Sequence, residues 1–134
     1  MVTMSQRIMT KIIPSENQEQ RALVKWLSYH PIVRDFFCKN NNEGKRTEVQ
    51  GYNLRLMGLR RGVSDLFIYW PTKTYHGLWL EVKRNKKYST SERSTATWIA
   101  QENFLEKVKS IGFAGEFCYG CLDGKKIIEN YLIT

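Results

Sequence analysis

The chain has no apolar run longer than residues 66–70, far short of the roughly 20 residues that a membrane-spanning helix needs. Residues 1–14 carry Arg7 and Lys11 but no sustained apolar stretch, so they do not read as a secretory signal. Cysteine is scarce. The three present, Cys38, Cys118 and Cys121, cannot all pair within one chain. Cys118-x-x-Cys121 has a metal or redox spacing, but there is no second such pair. A strand over 117–121 would also turn the two thiols to opposite faces. Reduced, half-buried cysteines in a cytoplasmic protein are the expectation. There is no internal repeat and no low-complexity linker, which excludes a solenoid or an array. Acid is the minority charge, with 13 Asp and Glu against 21 Lys and Arg.

What is there is one folded domain's worth of material. The 134 residues are 42% hydrophobic, 13% aromatic and 25% charged, unlike a disordered basic tail. A chain of this length buries about two thirds of the surface it exposes when unfolded. The net charge of +8 and isoelectric point near 9.5 favour a polyanionic partner. For a compact domain nucleic acid leads, although a ribosome-type or membrane-surface protein would share this balance.

Residues 1–13 read as an N-terminal arm and 14–134 as a single domain. Pro14 and Ser15 open a helix to about residue 29, with Leu23, Trp26 and Leu27 as its apolar stripe and Pro31 beyond its end. A strand is expected over 33–39, a polar turn over 40–44, and a second helix over 47–57 stopped by Gly58. Two β-rich runs, 63–70 and 77–84, form a hairpin with a long tip. A third helix over 96–110 carries Trp98, Leu105 and Val108 on one side. A strand over 113–119 follows, and Asp123 is the expected cap of a last helix through residue 132. The order α-β-α-β-β-α-β-α predicts an α/β fold, a mixed sheet flanked by helices.

The hairpin carries the chemistry. Centred on Lys73, it sets Asp65 directly opposite Glu81, and cross-strand neighbours stand about 4.5–5.5 Å apart at Cβ on the same face. Two carboxylates so close, in strands of Leu, Phe, Ile, Val and Trp, repel each other and lose hydration. An oxygen-seeking divalent cation removes that conflict, and Lys83 adds positive charge for an anionic substrate. The bland alternative is a solvated polar stripe. On helix one, Glu16, Gln20, Leu23 and Leu27 share a face, with Glu19 close beside it. Either acid could merely complement the helix dipole. Gln101 lies on the apolar stripe of helix three, where an amide needs a partner.

Together, Glu16 and Gln20, Gly62-Val63-Ser64-Asp65-Leu66, Leu80-Glu81-Val82-Lys83 and a helical Gln101 resemble the PD-(D/E)xK nuclease superfamily. More narrowly they resemble its VRR-NUC branch, the virus-type replication-repair nuclease domain. The Asn41-Asn42 turn, the approach Gly58-Leu59-Arg60-Arg61-Gly62 and Gly112 also suit that branch. Ser64 stands where the superfamily pattern has Pro. The resemblance covers about residues 14–132 and implies a restriction-endonuclease-like fold. It implies that Asp65, Glu81, the Val82 carbonyl and Glu16 hold Mg²⁺ or Mn²⁺. Lys83 would then position the attacking water and Gln101 support the site, for phosphodiester hydrolysis with no small-molecule cofactor beyond the metal.

Arg60, Arg61, Arg84, Lys86, Lys87 and Arg93 flank this site in sequence and are the expected phosphate contacts; a solvated loop is the alternative for the basic run. Trp70, Tyr75 and His76 at the hairpin tip could stack on bases or pack into the core. Small stand-alone members of the branch resemble Holliday-junction resolvases, which implies a homodimer acting on branched DNA in repair or recombination, in a bacterial or phage-infected cytoplasm. A non-catalytic nucleic-acid-binding module, and a nuclease for duplex or flap DNA, are the competing readings.

Overall fold

In the computed structural model of the chain, residues 12–40 and 46–134 are described. The expected turn over 40–44 and most of the N-terminal arm therefore lie outside the described residues. Ser15 caps helix α1 (Glu16–Leu27) through a capping box with Gln18, and the helix buries Gln20, Leu23 and Leu27 on one face. Strand β1 is only Phe37–Lys39, shorter than the expected strand over 33–39. The buried His30 ring accepts the N–H groups of Ile32 and Val33 through Nδ1, and Phe36 donates to the Val33 carbonyl. Pro31 has no N–H to give. The backbone donors of this segment are thus spent in a turn before a ladder can start.

Helix α2 (Glu48–Leu56) is capped by Thr47 through a second box with Gln50. Strands β2 (Leu66–Ile68) and β3 (Leu78–Lys83) pair antiparallel, with Leu66 opposite Leu80 and Ile68 opposite Leu78. That is the register centred on Lys73. A one-turn helix α3 (Thr90–Arg93), capped by a Ser89 and Glu92 box, follows β3. Helix α4 (Ala96–Ser110) keeps its expected span and buries Trp98, Leu105 and Val108.

Strand β4 (Ala114–Tyr119) runs parallel to β3 and completes a four-stranded sheet in the order β1-β2-β3-β4. Helix α5 (Cys121–Leu132) starts at Gly120, not at Asp123. Asp123 sits inside the first turn and accepts the Tyr119 N–H at 2.9 Å. Cys118 therefore ends up in the core and Cys121 at the head of a helix, both as free thiols. Burial pushes the Cys118 thiol pKa far up, so it is an inert core residue.

Strand alternation separates two environments. Leu66, Ile68, Leu78, Leu80, Val82 and Cys118 face α1 and α5 and form the main core with Leu23, Leu27, Val33 and Ile128. The two helices approach so closely that a Cβ on Gly124 would come within 2.8 Å of Leu23. Phe67, Trp79, Glu81 and Lys83 point the other way, toward α4. The result is a mixed sheet between helical layers, as expected from the sequence. Among the described residues, no helix is long and apolar enough to cross a membrane.

Candidate active site

Asp65 stands one step before β2, at the end of the hairpin where its register sets Glu81 opposite. Its carboxylate accepts the Val82 N–H at 2.8 Å. It thereby fastens the end of β2 to β3 and stays on the Glu81 face. Glu81 is only 3% exposed. Its Oε1 accepts a hydrogen bond from the Gln101 side chain at 2.8 Å, and its Oε2 is buried with no donor. Burial first, and the negative charge of Asp65 second, push the Glu81 pKa up to about 9, while Lys83 pulls it down.

Lys83 is buried in a cage. Its Nζ donates to Gln101 Oε1 at 2.7 Å and lies 3.8 Å from Glu81 and 4.0 Å from Glu16. It also sits 4.5 Å from the centre of the Trp98 ring, an attraction strengthened by desolvation. Gln101 is therefore a bridge, accepting from the Lys83 ammonium and donating to the Glu81 carboxyl group, which fixes both side chains with one amide. This accounts for an amide on an apolar helix stripe.

The two acids of α1 divide. Glu16, half exposed on the first turn, reaches toward Lys83, whereas the Glu19 carboxylate accepts the Cys121 N–H at the start of α5. Glu19 is thus committed to joining two helices, and Glu16 is the one aimed at the site. Gln20, four residues on, lines a separate hollow against β1 with Phe37 and Lys39.

Asp65, Glu81, Glu16 and Gln101 open onto one cleft of about 570 Å³. Arg60 and Arg61 line it. Arg46 and Arg55 line it too, from the two ends of α2, and were missed in sequence because they flank a different helix from the acidic strand. Gly62 lies at the cleft wall with φ +83°, and any Cβ there would collide with the Ala100 carbonyl. The glycine lets the chain turn against α4 and deliver Asp65 three residues later.

The other expected phosphate contacts do not line this cleft. Arg84 binds the carbonyls of Ile13 and Pro14, Lys86 pairs with Glu92 at 2.7 Å, Lys87 is exposed, and Arg93 lies 5.9 Å from the Trp98 ring. The tip aromatics are taken up in packing. Trp70 lies 5.1 Å from Phe36, Tyr75 stacks near Tyr131, and His76 abuts Phe113. A hollow of about 610 Å³ between α1 and α5 holds His30, but both ring nitrogens there have structural partners, with Nε2 2.9 Å from Glu129.

Among the described residues no three His, Cys, Asp or Glu side chains converge into a complete cage. The set nevertheless fits a hard divalent cation. An orphaned buried carboxylate oxygen lies beside a second carboxylate, and Mg²⁺ uses only one or two carboxylates while keeping its waters. A positive charge there would relieve the repulsion that raises the Glu81 pKa.

The mixed sheet thus presents two facing carboxylates and a caged lysine to an arginine-lined cleft. At the level of fold the chain is similar to a solved structure titled "VRR_NUC domain protein", with a TM-score of 0.71 and 19% identity over 91% of each chain. No family model and no curated protein matches the sequence.

Proposed function

We propose that the chain is a VRR-NUC-type, Mg²⁺- or Mn²⁺-dependent DNA endonuclease that hydrolyses phosphodiester bonds. The observation that carries this reading is the buried, donor-less Glu81 oxygen beside Asp65 at the floor of a basic cleft. Asp65, Glu81 and the Val82 carbonyl would hold the cation, with Glu16 acting directly or through water. When bound, such a cation stabilises charge on the phosphate oxygens and lowers the pKa of water. Lys83 orients the nucleophile or a phosphate oxygen from its cage, and Gln101 holds Lys83 and Glu81 in register. Arg60 and Arg61, joined by Arg46 and Arg55, neutralise flanking phosphates without reading bases. Outside the cleft, exposed Lys87 and Arg93 would add phosphate contacts, whereas Arg84 and Lys86 are held by Ile13, Pro14 and Glu92.

By the same resemblance the substrate is branched DNA, a four-way junction cut by a homodimer with two sites of opposite polarity. Symmetric, paired incisions are expected on a labelled four-way junction with Mg²⁺ or Mn²⁺, with none in EDTA or with Asp65→Ala. Equal cutting of linear duplex or flaps would keep the nuclease and remove the junction preference. Binding without cutting in either metal would replace the enzyme with a non-catalytic nucleic-acid-binding module.

A further inference from the structure

Helix α2 is at odds with the rest of the molecule. It is nine residues long, and none of its residues is buried. Helices shorter than about 12–15 residues are marginal in water, and in proteins they are held by packing of an apolar face. Such a face exists. Val49, Tyr52 and Leu56 fall at i, i+3 and i+7 on one side of α2 and are 68%, 56% and 68% exposed, with Met57 next to them at 83%. A contiguous apolar stripe of this kind marks an interaction surface.

The stripe's own pattern identifies its occupant. Val49 and Leu56 lie about equally far from the Tyr52–Asn53 step, so an antiparallel copy of α2 sets each Val49 against the partner's Leu56. Glu48 and Arg55 are two turns apart on the same flank of the stripe. In an antiparallel pair equal flanks meet, which brings Glu48 within two residues' rise, about 3 Å, of the partner's Arg55 at both ends. We propose that α2 is the surface on which a second copy of this chain docks, with the two-fold axis passing near Tyr52. An apolar stripe offers nothing to phosphates, whereas it complements itself in both shape and charge.

The inference rests on the homodimer in the proposed function and gives it a location. Arg46, just before α2, and Arg55 on it line the cleft, so this axis would join the two clefts into one basic surface.

Light scattering on the full chain tests it. The wild type is expected at twice 15.8 kDa and Val49→Glu/Leu56→Glu at half that mass. Neither side chain is buried within one chain, so the variant is expected to stay folded while its melting temperature loses the concentration dependence that a dimer gives the wild type. Glu48→Arg is expected to weaken the dimer, and adding Arg55→Glu to restore it. Should the double glutamate variant fail to fold, Tyr52→Cys in a Cys38→Ser background gives a second readout, linking two chains through a short bismaleimide where the Cys38→Ser parent does not. A dimer that survives both glutamates without crosslinking at residue 52 overturns the α2 assignment and leaves the homodimer standing. A wild type that is monomeric at every concentration overturns both. Loss of DNA affinity in Val49→Glu/Leu56→Glu with no change in mass would assign the stripe to nucleic acid and overturn the inference.

Discussion

The two faces of the sheet solve opposite problems with the same strands. Toward α1 and α5, β3 presents Leu78, Leu80 and Val82, all essentially fully buried. Their stability is of the ordinary kind, apolar surface removed from water at about 25 cal/mol per Å². Toward α4, the intervening residues of β3 are Trp79, Glu81 and Lys83. There the strand buries a carboxyl group and an ammonium that one amide, Gln101, holds in place. Burying an ion costs several kcal/mol, and Glu81, whose Oε2 meets no donor, answers that cost by keeping its proton up to about pH 9. An apolar pair in those positions would make a more stable sheet, so the second face gives up stability where the proposed function needs polar groups. The contrast also separates their failure modes: damage to the first face should cost fold, and damage to the second should cost activity alone.

The largest expected effect is on the second face. Asp65→Ala should reduce cleavage by more than the roughly 10–100-fold typical of residues that merely support metal ligands. Its melting temperature should move little, since the repulsion on Glu81 goes with it; single-turnover assays and calorimetry check both halves. Leu23→Ala should do the reverse. Leu23 is fully buried and packs against Gly124, so about 2–5 kcal/mol of stability should go, seen as a lower urea midpoint, with cleavage by the remaining folded fraction near normal. A Leu23→Ala variant that stays folded but loses cutting would erase the distinction between the faces.

Most of this contrast was legible in the sequence. Alternation in residues 78–83 fixes which side chains share a face, and a hairpin centred on Lys73 fixes which carboxylates meet. Both depend only on the period of two and on loop length. Ser15 marked the start of α1 for an equally local reason, the N-cap preference of a hydroxyl side chain. What was not legible depended on tertiary partners. The His30 ring, which spends the donors of Ile32 and Val33, shortens β1. Arg46 and Arg55 reach the cleft only because the chain folds α2 beside it. Arg84 and Lys86 look like free cations until Ile13, Pro14 and Glu92 are found opposite them. Charge runs say that a surface is basic but not which members already have an intramolecular partner.

Gly62→Ala tests how the backbone delivers Asp65. A Cβ at φ +83° is strained, and here it meets the Ala100 carbonyl, so about 1–3 kcal/mol of strain is expected. The loop can shed it only by moving. Activity should fall more than stability, and a crystal structure of the variant should show Asp65 displaced. Gln101→Ala should cost about 10–100-fold in rate, because Lys83 and Glu81 both lose their bridge while the carboxylates remain. Metal affinity measured by calorimetry should fall with the rate if Gln101 acts by positioning. A rate loss at unchanged affinity would assign the effect to Lys83 alone.

The pH dependence of stability is the effect most specific to the second face. Glu81 ionises at about 9 in the folded chain against an ordinary value of 4.5. Between those limits the folded state holds a proton that the unfolded state releases, so this group's contribution to stability declines as pH rises through the window. In EDTA, the melting temperature should therefore slope downward from pH 5 to pH 9 more steeply for the wild type than for Glu81→Gln, which has no proton to lose. A divalent cation competes with that proton, so its stabilising increment should grow with pH and its binding should release protons. Titrating MgCl₂ in buffers of different ionisation enthalpy measures the release directly. Equal slopes for wild type and Glu81→Gln would mean that Glu81 is ionised throughout, and the buried carboxylate would then need a permanent counter-charge stronger than Lys83.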